Sequence, residues 1–575
     1  MSGNDEKSRP AKVRGQPLRR GKACLNCRFL KIKCDGIRPV CGQCKRVPKD
    51  DPCEFTDEMS RTMELENAVF RLQSRINDLE GMAGPSTYPG HPPSGSDFSW
   101  SSQLSGTSSP FSGSSAGSPR PGWENSFLGV EEPPLPMIQM LLDYFLPHAT
   151  QFGFFLDLAT FRESALLPLH FGNTLRPSPA LLSVAYLWGV HLSLSQPLIS
   201  SEPVFLRRAQ QHVSTEITEA TNSTQFLHTI QAQVLLSIYM FRNKRFLESE
   251  FHANGAATLA LGYQLHKIRS ARPSSPRLLA VPVMLEMYPN RPQSAVEEGE
   301  RIRGFWAVAC LQSSLNVALN SAANFSILEA SSVDIDTPWP LEIADYAAGR
   351  LPPTFRGQET IKNFFVEDPP VFSPVSALYA KAAVLLHRAS QLASRWTPTL
   401  QPQDAASYTS SASWLDGRIA QFWERLPPLY NFYTDPTTAR TLIVTHAMTA
   451  AAAIKLHPSA FVNPEAQKKA VFAASAIIAC LGDSNVGDFT MAHPIVGSLC
   501  ILACRVLMDE IRRLRALRVA RRQGHHGVTS PPDPEEVSLT TTLQEGITTM
   551  RMYAVGSPLI KYQLAKLQQQ YESPY

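Results

Sequence analysis

Six of the ten cysteines of this chain lie between Cys24 and Cys53, spaced Cys24-x2-Cys27-x6-Cys34-x6-Cys41-x2-Cys44-x8-Cys53. In a reducing compartment clustered thiols bind metal rather than pair as disulfides. Four thiolates at about 2.3 Å form the tetrahedral set that zinc takes. Each C-x2-C pair can grip one ion from a single turn, and each pair has a partner cysteine further along. Six sulfurs oversupply one zinc and fall short of two separate four-sulfur sites, so two ions fit only where two sulfurs bridge. No histidine precedes His91, which excludes zinc fingers and RING modules with their histidine ligands. The spacing therefore predicts two Zn2+ per chain on Cys24, Cys27, Cys34, Cys41, Cys44 and Cys53. The other four cysteines, Cys310, Cys480, Cys500 and Cys504, are scattered through apolar stretches.

The charge around the cluster suggests a partner. Residues 1–55 hold 14 Lys/Arg against 6 Asp/Glu, a balance of +8, whereas the whole chain carries only +4. A basic head on a mildly acidic body is the pattern of a polyanion-binding module joined to a separate globular unit. Six thiolates less two Zn2+ leave the cluster anionic, yet Arg28, Lys31, Lys33, Arg38, Lys45 and Arg46 surround it. With 575 residues, 43% of them hydrophobic and 18% charged, the chain can build a large core and is not disordered throughout. The opening MSGNDEKSRP has no apolar signal core, and no run of about 20 apolar residues occurs. The expectation is a soluble intracellular protein with no membrane partner.

The stretch ACLNCRFLKIKCDGIRPVCGQCKRVPKDDPCEF resembles the fungal Zn2Cys6 binuclear-cluster family of transcription factors across the whole cluster. That resemblance implies that the first and fourth cysteines, here Cys24 and Cys41, bridge the metals. It implies that Pro39 is the loop proline, often cis in the family. A short helix over Cys24–Lys33 would enter the major groove and read a CGG-type triplet. Lys31 stands where a lysine reaches guanine acceptors. Arg28 and Lys33 would contact phosphate or framework, and Arg19, Arg20 and Lys22 of the basic arm would track phosphates or signal nuclear import. Many relatives have a basic residue where this chain has Leu30.

The remaining elements must position this module. Residues 1–23 read as a disordered basic arm and 24–55 as the DNA-binding domain. Over 60–83 a heptad pattern places Thr62, Val69, Ile76 and Ala83 at a, with Leu65, Leu72 and Leu79 at d. β-Branched a with Leu at d favours a parallel two-stranded coil, so Leu65, Val69, Leu72, Ile76 and Leu79 predict a homodimer. In 84–130 composition shifts: 27 of the 40 residues from Gly84 to Trp123 are Ser, Gly or Pro, a flexible linker. The fold class expected is thus a small zinc cluster, a short parallel coiled coil, a flexible linker and a large all-α regulatory domain over 135–515, with a loop and C-terminal helix over 523–575.

Within that body, helical periodicity recurs near 137–147, 179–195, 205–242, 246–267, 298–321, 374–396, 413–425, 437–456, 464–482, 492–522 and 539–571. Residues 269–295 and 523–537 read as surface loops. The stretches 141–161, 246–267, 297–315 and 334–340 resemble the regulatory domain of fungal transcription factors, with Gln312 replacing a common aspartate. His148, His191, His266 and His493 read as isolated, Trp306 reads as core, and no phosphate loop or nucleophile elbow occurs, which excludes an enzyme. The function predicted is a nuclear, zinc-dependent, sequence-specific regulator of RNA polymerase II transcription. It would read paired CGG-like triplets on double-stranded DNA as a homodimer, contact the transcription machinery and take a candidate small-molecule effector in the helical domain. The alternative is an interaction scaffold or small-molecule sensor whose cluster reads DNA weakly.

Overall fold

The computed structural model describes residues 23–24, 27, 32–35, 37–46, 53, 132–193, 195–219, 222–272, 291–319, 326–330, 335–366, 373–397, 399, 401–457, 464–483, 492–524 and 533–572. The expected coiled coil and linker, and most of the basic arm, lie outside them. The chain divides between Ser115 and Ala116 into two units. In the first, the described helix is α1 (Gly42–Arg46).

The second unit is built from helices. They are α2 (Leu135–Phe145), α3 (Leu158–Ala165), α4 (Pro179–Leu192), α5 (Gln196–Glu219), α6 (Ser223–Arg242), α7 (Phe246–Gly262), α8 (Ala295–Leu319), α9 (Ile327–Ala330), α10 (Ile343–Ala347) and α11 (Thr360–Val366). After these come α12 (Val375–Ser394), α13 (Pro402–Arg425), α14 (Pro436–Leu456), α15 (Pro464–Leu481), α16 (Ile495–Gly524), α17 (Pro534–Ala554) and α18 (Pro558–Glu572). A 3-10 segment, Leu146–Phe152, continues α2. Among the described residues, β structure is confined to a single bridge between Ser270 and Gly357.

Local chemistry explains several starts. Asp157, Ser178, Asn222, Asp435 and Asp533 each accept a backbone N–H from the first turn of α3, α4, α6, α14 and α17. Proline stands at the opening of α4, α14 and α17, where its missing N–H costs nothing. These caps also account for the differences from the sequence reading. The expected helix 205–242 is two helices, because the Asn222 side chain accepts the N–H of Gln225 at 2.8 Å and starts α6 afresh. The expected helix 539–571 likewise breaks after Ala554, and α17 begins at Pro534 inside the expected loop. α13 begins at Pro402, earlier than its apolar stripe, since its first two turns are exposed and polar.

α4 is central. Twelve of its 14 residues are buried, so it carries apolar side chains all round. Trp188 stacks on Phe152 at 4.2 Å and donates its indole N–H to the Leu235 carbonyl at 3.2 Å. Gly189 lets α4 lie directly on α2: a Cβ there would stand 2.4 Å from the Leu141 carbonyl oxygen. α12 and α14 pack on each other extensively, and both carry buried small residues, among them Ala380, Ala383, Ala447 and Ala451. Leu543, Ile547, Met550 and Ile560 of α17 and α18 belong to this same core, so packing continues past residue 515 without a break.

The stretches that resemble a regulatory domain meet in space. The His266 carbonyl accepts the N–H groups of Asp336 at 2.9 Å and Thr337 at 3.2 Å. Trp306, 2% exposed and core as expected, stacks on Trp339 at 4.3 Å and donates to the Pro338 carbonyl at 2.7 Å. Gln312 donates to Asn254 at 3.0 Å and accepts the N–H of Ile327 at 2.8 Å. An ionised aspartate could do only the second.

Candidate metal centre

The six cysteines gather as the spacing requires. Cys24, Cys27 and Cys41 are fully buried, Cys34 and Cys44 nearly so, and Cys53 partly. Their sulfurs form two groups of four, Cys24/Cys27/Cys34/Cys41 and Cys24/Cys41/Cys44/Cys53, each with all ligand atoms within 4.8 Å of one another. Cys24 and Cys41 belong to both. The Sγ–Sγ separations are 3.6 Å for Cys24–Cys41, 3.8 Å for Cys24–Cys44 and 3.6 Å for Cys27–Cys41. A tetrahedron with about 2.3 Å metal–sulfur bonds has edges of about 3.8 Å, so each group is sized for one zinc.

Each C-x2-C pair is set by a backbone turn. The Cys27 N–H points to Cys24 Sγ at 3.5 Å, and the Cys44 N–H to Cys41 Sγ at 3.4 Å. The Cys41 N–H reaches Cys53 Sγ at 3.3 Å. These N–H groups favour thiolate sulfur. Burial opposes it and holds Cys24, Cys27 and Cys44 above the ordinary thiol range. For Cys41 burial also pushes upward, but the Cys44 N–H and the neighbouring thiols outweigh it and bring the group down to about 6. Buried sulfurs this close repel when ionised, so the cluster as a whole needs cations to become thiolate.

One contributor was missed in the sequence. Asp35 Oδ2 accepts the Gly42 N–H at 2.9 Å and Oδ1 accepts that of Ile37 at 3.3 Å, which caps α1 and ties the two halves of the module together. Gly42 permits this, since a Cβ there would lie 2.2 Å from Asp35 Oδ2. The signal was a glycine directly after Cys41 with a carboxylate directly after Cys34. Peptide Arg38–Pro39 is cis.

Of the expected DNA-contacting residues, Lys33 is described and exposed. Arg28, Lys31, Arg19, Arg20 and Lys22 lie outside the described residues, as do Leu65, Val69, Leu72, Ile76 and Leu79. The helix expected over Cys24–Lys33 is shorter. Cys27 is helical, but Cys24 and Lys33 are not, and the Ile32 N–H closes back on the Cys27 carbonyl at 3.0 Å. Arg38, Lys45 and Arg46 are exposed on the same module.

Comparison with known proteins finds the pattern of the fungal Zn(2)-Cys(6) binuclear cluster domain at residues 22–62. The transcriptional activator protein acu-15 of Neurospora crassa is 42% identical over 65 residues, 10% of this chain and 7% of that protein. The notoamide biosynthesis cluster transcriptional coactivator notQ' of Aspergillus versicolor is 40% identical over 58 residues, 10% and 11%. The chromatin structure-remodeling complex protein RSC3 of Saccharomyces cerevisiae is 40% identical over 45 residues, 8% and 5%. The chain thus spans a small fraction of the length of each of these relatives. No solved structure matches. No helix among the described residues is long and apolar enough to cross a membrane.

Proposed function

Residues 22–62 are a fungal Zn(2)-Cys(6) binuclear cluster domain, and from that premise we propose that this chain is a zinc-dependent, sequence-specific DNA-binding regulator of transcription by RNA polymerase II. A domain of this family binds two zinc ions and is not catalytic. The observation that carries the reading is the pair of four-sulfur groups sharing Cys24 and Cys41. One zinc would be held by Cys24, Cys27, Cys34 and Cys41 and the other by Cys24, Cys41, Cys44 and Cys53, with Cys24 and Cys41 serving both. On these six cysteines, bound zinc would stabilise a module too small to hold itself together by hydrophobic burial.

In this reading the module presents a basic face to double-stranded DNA. Lys31 donates to guanine acceptors in the major groove, while Arg28, Lys33 and the arm residues Arg19, Arg20 and Lys22 neutralise phosphates. Heptad residues Leu65, Val69, Leu72, Ile76 and Leu79 pair two chains, so that two modules read two CGG-like triplets at a spacing set by the residues after Cys53. The helical unit is the regulatory domain through which the transcription machinery is addressed, and the protein works in the nucleus. The relatives named as a transcriptional activator and a coactivator agree with this reading.

Selection of random duplex DNA by the zinc-loaded full chain, with and without chelator, tests it. Paired CGG-like triplets at one spacing, lost on chelation, are expected. Affinity should fall with salt at a slope of about −0.9 per phosphate contact. Lys31→Ala should relax triplet preference by about 1–3 kcal/mol while leaving metal content intact. Zinc-dependent folding without any enriched sequence would sink the DNA-reading assignment.

A further inference from the structure

The helical unit contains a cavity of about 230 Å³ where the 3-10 segment, α6, α8, α12, α14, the start of α16 and Tyr553 of α17 converge. Most of its wall is apolar, with Phe154, Val234, Ile238, Trp306 and Leu311 among the lining residues. A cavity of about 150 Å³ accommodates benzene, so this one has room for about nine or ten non-hydrogen atoms.

One part of the wall is polar, and its protons can be assigned. The Ile495 N–H donates to His493 Nδ1 at 3.3 Å, so that nitrogen carries no hydrogen. Enclosure pushes the imidazole down to about 4, which leaves it neutral with its one proton on Nε2. Nε2 lies 3.2 Å from the Tyr379 phenol and therefore donates to it. The Tyr379 O–H is left to donate away from His493; the Ser314 hydroxyl is within its hydrogen-bonding reach and both side chains line the cavity, so an occupant's oxygen can accept the Tyr379 O–H in place of Ser314. A donor held in place by a second donor is a receptor for an oxygen acceptor. Arg303, Glu342 and Arg440 also line the cavity; Arg303 donates to the Phe155 carbonyl at 3.1 Å and pairs with Glu342 at 3.4 Å, so a carboxylate already stands among the cations of the wall. That pairing leaves little drive for Arg303 to draw in an anion.

We propose that this cavity is a binding site for a compact, uncharged, largely apolar molecule carrying one carbonyl or hydroxyl oxygen, which accepts the Tyr379 O–H. The site lies where helices from the first and last thirds of the unit meet, so an occupant bridges both. The ligand is bound by the helical unit itself, so this reading stands or falls separately from DNA recognition.

The test titrates the zinc-loaded full chain with acetophenone, ethylbenzene and benzoate, followed by calorimetry and thermal unfolding. Acetophenone should bind and raise the unfolding temperature. Ethylbenzene, which lacks the oxygen, should bind about three- to tenfold more weakly, the factor for one neutral hydrogen bond. Benzoate should be weaker still, because its charge must be stripped of water. Tyr379→Phe should bind acetophenone and ethylbenzene alike. Ala307→Phe, which fills the cavity, should abolish both with the helical circular dichroism unchanged; Leu311→Trp serves the same purpose should the first variant not fold. Absence of binding by all three probes would overturn the proposal. So would benzoate binding tightest, or Tyr379→Phe keeping the oxygen preference.

Discussion

Cys24 and Cys27 are both fully buried, yet replacing them should have unequal consequences. Cys27 belongs to one four-sulfur group and Cys24 to both. Structural zinc sites have binding free energies of about 10–16 kcal/mol, so one sulfur of four accounts for about 2.5–4 kcal/mol, or about 10²–10³-fold in affinity. Cys27→Ala should weaken one ion by that factor and leave the other, on Cys24, Cys41, Cys44 and Cys53, at the affinity of the unaltered protein. Cys24→Ala leaves three sulfurs in each group, so even the tighter ion should be about 10²–10³-fold weaker. Competition with a chromophoric chelator gives the affinity of each ion, and elemental analysis gives the number retained. The result that refutes the shared-sulfur geometry is Cys24→Ala retaining one zinc at the original affinity. Cys41→Ala should behave like Cys24→Ala, and Cys53→Ala like Cys27→Ala.

Three further outcomes concern the helical unit. Glu216 is 7% exposed, and burial lifts its carboxyl to about 7 despite hydrogen bonds from Ser178 and Thr229. A carboxyl whose folded value exceeds its unfolded one stabilises the fold below about pH 4.5, and this contribution fades as pH rises toward 7. Urea unfolding of the native protein minus that of Glu216→Gln should therefore fall by on the order of 2–3 kcal/mol between pH 4.5 and 7.5; a flat difference would refute it. His191 donates from Nδ1 to Glu202 at 2.7 Å and accepts from buried Arg242 at 3.1 Å, while Tyr239 donates to Glu202 at 2.6 Å. Glu202→Gln should cost about 1–3 kcal/mol by removing the ionised acceptor of the His191 and Tyr239 hydrogen bonds, and Tyr239→Phe should cost less in the Glu202→Gln background than in the native protein; additive losses in chemical denaturation would show that the two groups are not coupled. Gly189→Ala should destabilise by about 1–3 kcal/mol through its clash with Leu141, whereas Gly417→Ala, which meets nothing within 4 Å, should stabilise slightly. Equal thermal shifts for the two glycine variants would contradict this packing.

The metal centre was legible because its information is one-dimensional. Six soft ligands within 30 residues, with no histidine among them, leave few ways to satisfy tetrahedral zinc. The all-α body was legible for a related reason, since apolar periodicity and helix caps are local. Even so, helix lengths escaped where the deciding feature was a single capping side chain, as at Asn222, or a polar exposed start, as in α13.

What the sequence could not carry was pairing across distance. His191 and Glu202 read as separate residues, and the reading of His191 as isolated is corrected by their 2.7 Å contact. Their approach depends on the turn between α4 and α5, and Arg242 joins them from 51 residues beyond His191. The role of Asp35 likewise appears only when Cys34 and Cys41 are drawn together. The cavity is the extreme case, because its wall is drawn from seven helical elements and no one of them encodes a void. Ligand type and spacing, charge balance and helical character are properties of neighbours along the chain, so the sequence determined them. Which buried polar groups meet and where space is left between helices are set by how the elements pack, and only the tertiary structure decided those.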